Sequence, residues 1–292
     1  MKIQDALREA DRRLAAAAVT SSTWDAELLL RHVLGWERAQ LLTHGDETIP
    51  ADALTRYDAL VDARARHTPL QHLTQRQAFW RRDFEVSPDV LIPRHESEIL
   101  VEALLARIDE RAAPLVVDVG TGSGCIAISV ACDRTDARVH AIDISPAALA
   151  VARRNAHRLG CAEHISFHQG DLLAPVGHLA GAVDAVVSNP PYVERRDAIT
   201  LAPEVRDHEP AIALFPDGAS DSLYRRLIPA AREVLRPSGW LLLEVGIGMA
   251  PAIVRLCADA GLVTDAPLRD LARIERVVLA RKAGHAHPAD RA

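Results

Sequence analysis

Leu115-Val116-Val117-Asp118-Val119-Gly120-Thr121-Gly122-Ser123-Gly124 decides the fold of this 292-residue chain. Its first half is a short apolar run, the pattern of a strand buried on both faces. It passes directly into three alternating glycines, and Cys125-Ile126-Ala127-Ile128 then opens a helix. Strand, glycine turn and helix are the opening unit of the open parallel sheets that hold nucleotide cofactors. Glycines let the backbone approach a ligand where side chains would clash. Gly120, Thr121, Gly122, Ser123 and Gly124 are therefore candidate cofactor-binding residues. Taken alone the spacing is a weak signal, since it also serves a plain tight turn.

The following strands add weight. Arg138-Val139-His140-Ala141-Ile142 ends in Asp143, about 20 residues beyond the glycine loop, where an acid can accept both hydroxyls of a ribose. The structural alternative is an N-cap carboxylate for the helix that Ser145-Pro146 begins. Loop and acid together at this spacing favour the cofactor reading. Ile165-Ser166-Phe167 reads as a third strand, followed by Gly170-Asp171-Leu172. Asp171 suits an adenine amino group and Leu172 the face of its ring, although a plain loop aspartate is nearly as good a reading. His164 and His168 read as partly exposed strand residues, and no metal is expected.

The fourth strand, Val183-Asp184-Ala185-Val186-Val187-Ser188, stops at Asn189-Pro190-Pro191-Tyr192. Neither proline has an N–H to extend a ladder, and Pro190 holds Asn189 in an extended conformation. The result is a stiff loop at a strand's carboxyl end, where ligands bind in such sheets. Asn189 offers an amide oxygen and Pro190 a carbonyl, two acceptors for the hydrogens of a planar NH2 group. Tyr192 can stack on a planar amide or face a cation. A proline turn with a half-buried tyrosine is the plainer reading of these four residues in isolation.

The composition is that of an ordinary globular protein, 49% hydrophobic and 25% charged. A net charge of −6 counts against a dedicated duplex-DNA binder. The chain has no apolar run of membrane-spanning length, and its amphipathic start does not read as a signal peptide. Four cysteines without paired spacing read as reduced thiols in a cytoplasmic protein. Residues 2 to 67 read as helical, with Ser21-Ser22-Thr23 supplying N-caps and Trp24, Leu28, Leu29 and His32 sharing one face. Phe79-Trp80 and Phe84-Glu85-Val86 flank a hairpin turn. Arg94 reads as a surface arginine or as a residue on the pocket rim, and taken alone the surface reading is preferred. The charged run Glu204 to Pro210 reads as a solvated loop or one wall of a cleft. Pro237-Ser238-Gly239 reads as a turn before a fifth strand at Trp240 to Gly246, and Leu262 to Pro267 with Ile274 to Ala280 as a closing hairpin.

The glycine loop, Asp143-Ile144-Ser145 and Ser188-Asn189-Pro190-Pro191-Tyr192 resemble the class I methyltransferases that use S-adenosylmethionine. Leu91-Ile92-Pro93-Arg94 and Arg206-Asp207-His208-Glu209-Pro210 narrow the resemblance to the protein-glutamine N5-methyltransferases of peptide chain release factors. It spans residues 5 to 282. It departs from the usual pattern at Gln75, usually glycine, and at Leu172, where an aromatic often packs on adenine. The resemblance implies an α/β, Rossmann-like fold with a seven-stranded, mostly parallel sheet whose last strand is antiparallel. It implies an N-terminal helical substrate-recognition domain (1–75), a β-hairpin linker (76–94) and a methyltransferase domain (95–282). Residues 283–292 read as a disordered tail. The implied activity is methyl transfer to the glutamine of the Gly-Gly-Gln motif of class 1 release factors, by a monomer with no membrane or nucleic-acid partner. Asn189, Pro190 and Tyr192 are the catalytic candidates. The four loop residues Asn189 to Tyr192 are the substrate-binding candidates. Asn189 also joins the cofactor set. Methylation of a ribosomal-protein glutamine, or of adenine N6 in nucleic acid, are the competing functions.

Overall fold

The computed structural model describes residues 1–284, and the chain divides into two compact units. The first comprises Met1–Arg76 with Leu201–His208, and the second Gln77–Thr200 with Glu209–Ala292. From His285 onward, the tail expected at 283–292 lies outside the described residues.

The first unit is helical: α1 (Ile3–Ala16), α2 (Ser22–Leu34), α3 (Arg38–Thr43), α4 (Ala51–Ala65) and α5 (Leu70–Thr74). Ile3, Ala6, Ala10 and Leu14 recur every three or four residues and form the buried stripe of α1. They meet Leu29 and Leu30 of α2 and Tyr57 and Val61 of α4 in one core. Trp24 departs from the expected shared face, being 48% exposed with the Arg38 guanidinium over its ring. Helix α2 ends at Gly35, whose φ of +66° is the left-handed stop that glycine accommodates. Gln75 closes α5 at φ +57°, a left-handed conformation that glycine adopts at less cost. Arg64 is buried against Asp25 at 2.6 Å and also binds Glu204.

The hairpin follows: β1 (Arg76–Phe79) and β2 (Arg82–Glu85) around Trp80-Arg81. Both turn residues have positive φ without being glycine. Asp133 compensates by accepting from Trp80 Nε1 at 2.7 Å and from the Arg81 and Arg82 guanidiniums.

The second unit continues with α6 (Glu98–Ile108), β3 (Leu115–Val119), α7 (Cys125–Asp133), β4 (Arg138–Asp143), α8 (Pro146–Arg158), β5 (Ile165–Gln169) and β6 (Val183–Ser188). Short helix α9 (Pro203–His208) belongs to the first unit. Then come α10 (Ala211–Leu214), α11 (Ser222–Val234), β7 (Leu235–Glu244), α12 (Ala250–Asp259), β8 (Leu262–Thr264), β9 (Leu268–Arg269) and β10 (Glu275–Lys282). The sheet order is β5-β4-β3-β6-β7-β10-β8. Strands β3 to β7 are parallel, and β10 runs antiparallel between β7 and β8. The two-residue β9 pairs with β10 and brings this sheet to eight strands among the described residues, one more than the seven expected.

Apolar side chains on both faces of β3 and β6 explain their unbroken hydrophobic runs: Val116 and Val187 enter one core, Val117 and Val186 the other. The expected turn at Pro237-Ser238-Gly239 lies inside β7 instead. The strand absorbs it as an irregularity opposite Val183–Ala185, with Ser238 at φ +62°.

Candidate active site

Strand ends build the site. A cavity of about 470 Å³ opens beyond the carboxyl ends of β3, β4, β5 and β6, the ligand position of doubly wound sheets. Its size falls within the roughly 300–1,000 Å³ of small-molecule sites.

The glycine loop forms one wall. Gly120 (φ +73°) and Gly122 (φ +55°) are in the left-handed region, and a Cβ added to either meets nothing within 4 Å. Their missing side chains leave open space beside the backbone. Gly124 serves packing instead, since an added Cβ would lie 2.7 Å from Ile128 and 3.1 Å from the Ala152 Cβ. Its bare backbone lets α7 and α8 pack closely. Thr121 turns inward and donates to Asp118 Oδ2 at 2.7 Å. Asp118 is fully buried, its Oδ1 has no hydrogen-bond partner, and burial pushes its carboxyl up to about 7.

Asp143 lines the cavity and ties the loop in place. Its Oδ2 accepts from the Gly122 N–H and its Oδ1 from the Ser145 N–H, both at 2.9 Å. The N-cap of α8 is Ser145, which accepts from the Ala148 N–H, so Asp143 is not the cap. Burial raises the pKa of Asp143 above its ordinary value. Asp171 and Leu172 also line the cavity. Asp171 pairs with Arg226, and Leu172 holds φ +50°.

Asn189, Pro190 and Pro191 line the cavity at the end of β6. Asn189 is half-buried, and its Nδ2 donates to Ser97 Oγ at 3.1 Å. Ser97 in turn donates to Glu244 Oε2 at 2.5 Å. Burial pushes the Glu244 carboxyl up to about 7, against the opposing pull of Ser97, Arg276 and the Asn189 amide. Tyr192 differs from its neighbours. It is not among the cavity-lining residues, and its ring packs where a Gly246 side chain would stand.

For Arg94 the pocket-rim reading prevails over the surface one. It lines the cavity and binds the buried Glu209 at 2.5 Å, so it is no plain surface residue. Glu209 also accepts from the Ile92 N–H at 3.3 Å. The charged run is split: Glu204 to His208 belong to the helical unit, and Glu209 to the sheet unit. Ser97, Glu244 and Glu209 were not singled out as site residues from sequence. Cys125 lines the cavity too, but burial pushes its thiol up to about 12, which removes it as a nucleophile.

Residues 5–74 match the family model "PrmC N-terminal domain", and residues 95–206 match "Methyltransferase small domain". The chain is 41% identical to a release factor glutamine methyltransferase of Cereibacter sphaeroides over 96% of its own length and 99% of that protein. It is 43% identical to one from Moorella thermoacetica, over 96% and 98%. Among solved structures, a methyltransferase from Pyrococcus furiosus superposes with a TM-score of 0.52 at 16% identity, covering 69% of this chain and 89% of that one. That likeness speaks for the fold alone. Identity of this extent over nearly the whole length shows that the chain belongs to the release factor glutamine methyltransferase family.

Proposed function

We propose that this protein transfers a methyl group from S-adenosylmethionine to the side-chain amide nitrogen of the glutamine in the Gly-Gly-Gln motif of class 1 peptide chain release factors. The observation that carries the reading is the Asn189 amide. Its nitrogen is engaged by Ser97, which leaves its oxygen to accept from a ligand in the cavity.

The residues present fit the cofactor. Gly120 and Gly122 leave open space beside the loop, and Asp143 offers carboxylate lone pairs for ribose hydroxyls. Asp171 and Leu172 suit the adenine amino group and ring. When bound, S-adenosylmethionine supplies a methyl group on a cationic sulfur. A carboxamide nitrogen is a poor nucleophile because its lone pair is delocalised into the carbonyl. Asn189 Oδ1 and the Pro190 carbonyl accept its two hydrogens and hold the nitrogen in one orientation. As positive charge grows on nitrogen these bonds strengthen, so they lower the barrier more than they tighten binding. Pro190 and Pro191 keep the acceptors rigid, and Tyr192 braces them. The proton leaves to water after transfer.

On this reading, residues 1–75 form a recognition domain for the protein substrate, 76–94 a linker and 95–282 the catalytic domain. The protein works in the cytoplasm as a monomer. The test offers labelled cofactor with a release factor, a ribosomal protein and duplex DNA side by side. Label confined to the release factor glutamine is the expected result; label on adenine or on the ribosomal protein alone would overturn it. Asn189→Ala should bind cofactor normally and lose on the order of 10²–10³ in kcat.

A further inference from the structure

Three side chains from separate segments meet beside the cavity. Ser97 precedes α6, Asn189 follows β6 and Glu244 ends β7. Ser97 is 3% exposed and Glu244 4%, so water does not compete for their hydrogen bonds. A serine hydroxyl has one hydrogen and two lone pairs. The hydrogen of Ser97 is given to Glu244 Oε2 at 2.5 Å, so only lone pairs remain toward Asn189. A lone pair takes an N–H and repels a carbonyl oxygen. The amide therefore settles with Nδ2 on Ser97, at 3.1 Å.

We propose that Ser97 and Glu244 are positioning residues that determine which end of the Asn189 amide meets the substrate. The inference rests on the function proposed above. A substrate amide nitrogen carries two hydrogens and needs acceptors. The reversed Asn189 amide would meet it with hydrogens against hydrogens. Sterically the two orientations differ little, so the hydrogen-bond partner on the far side decides between them. Glu244 acts through Ser97 and also interacts with the Asn189 amide itself. Its Oε2 accepts the Ser97 hydrogen, and this fixes the direction in which the hydroxyl points. Glu244 is itself held, because the Tyr224 hydroxyl donates to its backbone carbonyl at 2.7 Å.

The test uses the full chain, with steady-state methylation of a release factor and calorimetry with S-adenosylhomocysteine. Ser97→Ala removes the lone pairs, and Ser97→Thr keeps the hydroxyl. Glu244→Gln supplies an N–H that lets the hydroxyl turn around. Ser97→Ala and Glu244→Gln should each lower kcat about tenfold to a hundredfold, below the full effect of deleting a transition-state contact. Affinity for S-adenosylhomocysteine should stay within about twofold, under 0.5 kcal/mol, and Ser97→Thr should recover most of the lost kcat. Unchanged kcat in Ser97→Ala overturns the positioning role. So does a loss that threonine does not recover, or one matched by lost analogue affinity, since either marks a merely structural contact. If the wild-type protein methylates no glutamine, the functional reading fails and the inference falls with it. If the wild type is active while the variants match it, only the inference fails.

Discussion

The alternating glycines at positions 122 and 124 play opposite parts, and alanine at each should separate them. Both hold positive φ, +55° at Gly122 and +82° at Gly124. A left-handed alanine costs about 1–2 kcal/mol, less a few tenths returned by the stiffer unfolded chain. At Gly122 that is the whole cost to folding, because the new methyl meets nothing within 4 Å. At Gly124 the methyl would lie 2.7 Å from Ile128 Cδ1 and 3.1 Å from Ala152 Cβ. The Ile128 methyl can swing aside, but Ala152 is fixed to its helix, which adds about 1–3 kcal/mol of overpacking. Urea denaturation should therefore find Gly122→Ala about 1 kcal/mol less stable than wild type and Gly124→Ala about 2–4. Calorimetry with S-adenosylhomocysteine should reverse the order. The Gly122 methyl enters ligand space, and a clash of about 1–3 kcal/mol weakens binding roughly five- to 150-fold. Equal destabilisation of the two variants, or full analogue affinity in Gly122→Ala, would refute this division of labour.

Other variants test other parts of the molecule. Asp143→Ala removes the acceptor of two loop N–H groups; it should cost about 1–3 kcal/mol of stability and weaken analogue binding by more than tenfold, seen in the same two assays. The Glu244 carboxyl is raised from its ordinary 4.5 to about 7, so folding favours its protonated form. Its contribution to stability is complete below about pH 4.5 and is lost as pH rises through about 7, a change of about 3 kcal/mol. Glu244→Gln should thus gain on the wild type between about pH 5 and pH 8 in urea melts; a constant difference would contradict the assignment. Arg64→Ala strands the buried Asp25 carboxylate and should cost about 3–5 kcal/mol, with analogue affinity unchanged because neither residue lines the cavity.

The parts of the site visible in sequence are those whose chemistry lies within one local segment. Leu115 to Gly124 reads directly, because strand, turn and helix follow one another and glycine marks the positive φ angles. Asp143 is found by its place at the next strand's end, and Asn189 by the prolines that halt β6. Ser97 and Glu244 carry no such mark. They lie 147 positions apart, and only the packing of α6 beside β7 joins them. Arg94 is ambiguous in sequence for the same reason, since its partner Glu209 is 115 positions away. The direction of the Tyr192 ring is likewise not legible in sequence, because it packs into the space that a side chain at Gly246 would take. The turn read at Pro237-Ser238-Gly239 survives as a bulge inside β7, where three extra residues between Leu235 and Trp240 face Val183–Ala185.

The placement of β10 bears on how the molecule is made. Vectorial synthesis delivers this strand after the other described ones, yet it fills an interior slot, bonded to β7 on one side and β8 on the other. Until it emerges, both neighbours present bare edges that invite pairing with foreign chains. A premature stop codon before Glu275 would leave every cavity-lining residue encoded, but would release a polypeptide with a gap in its sheet and a tendency to aggregate.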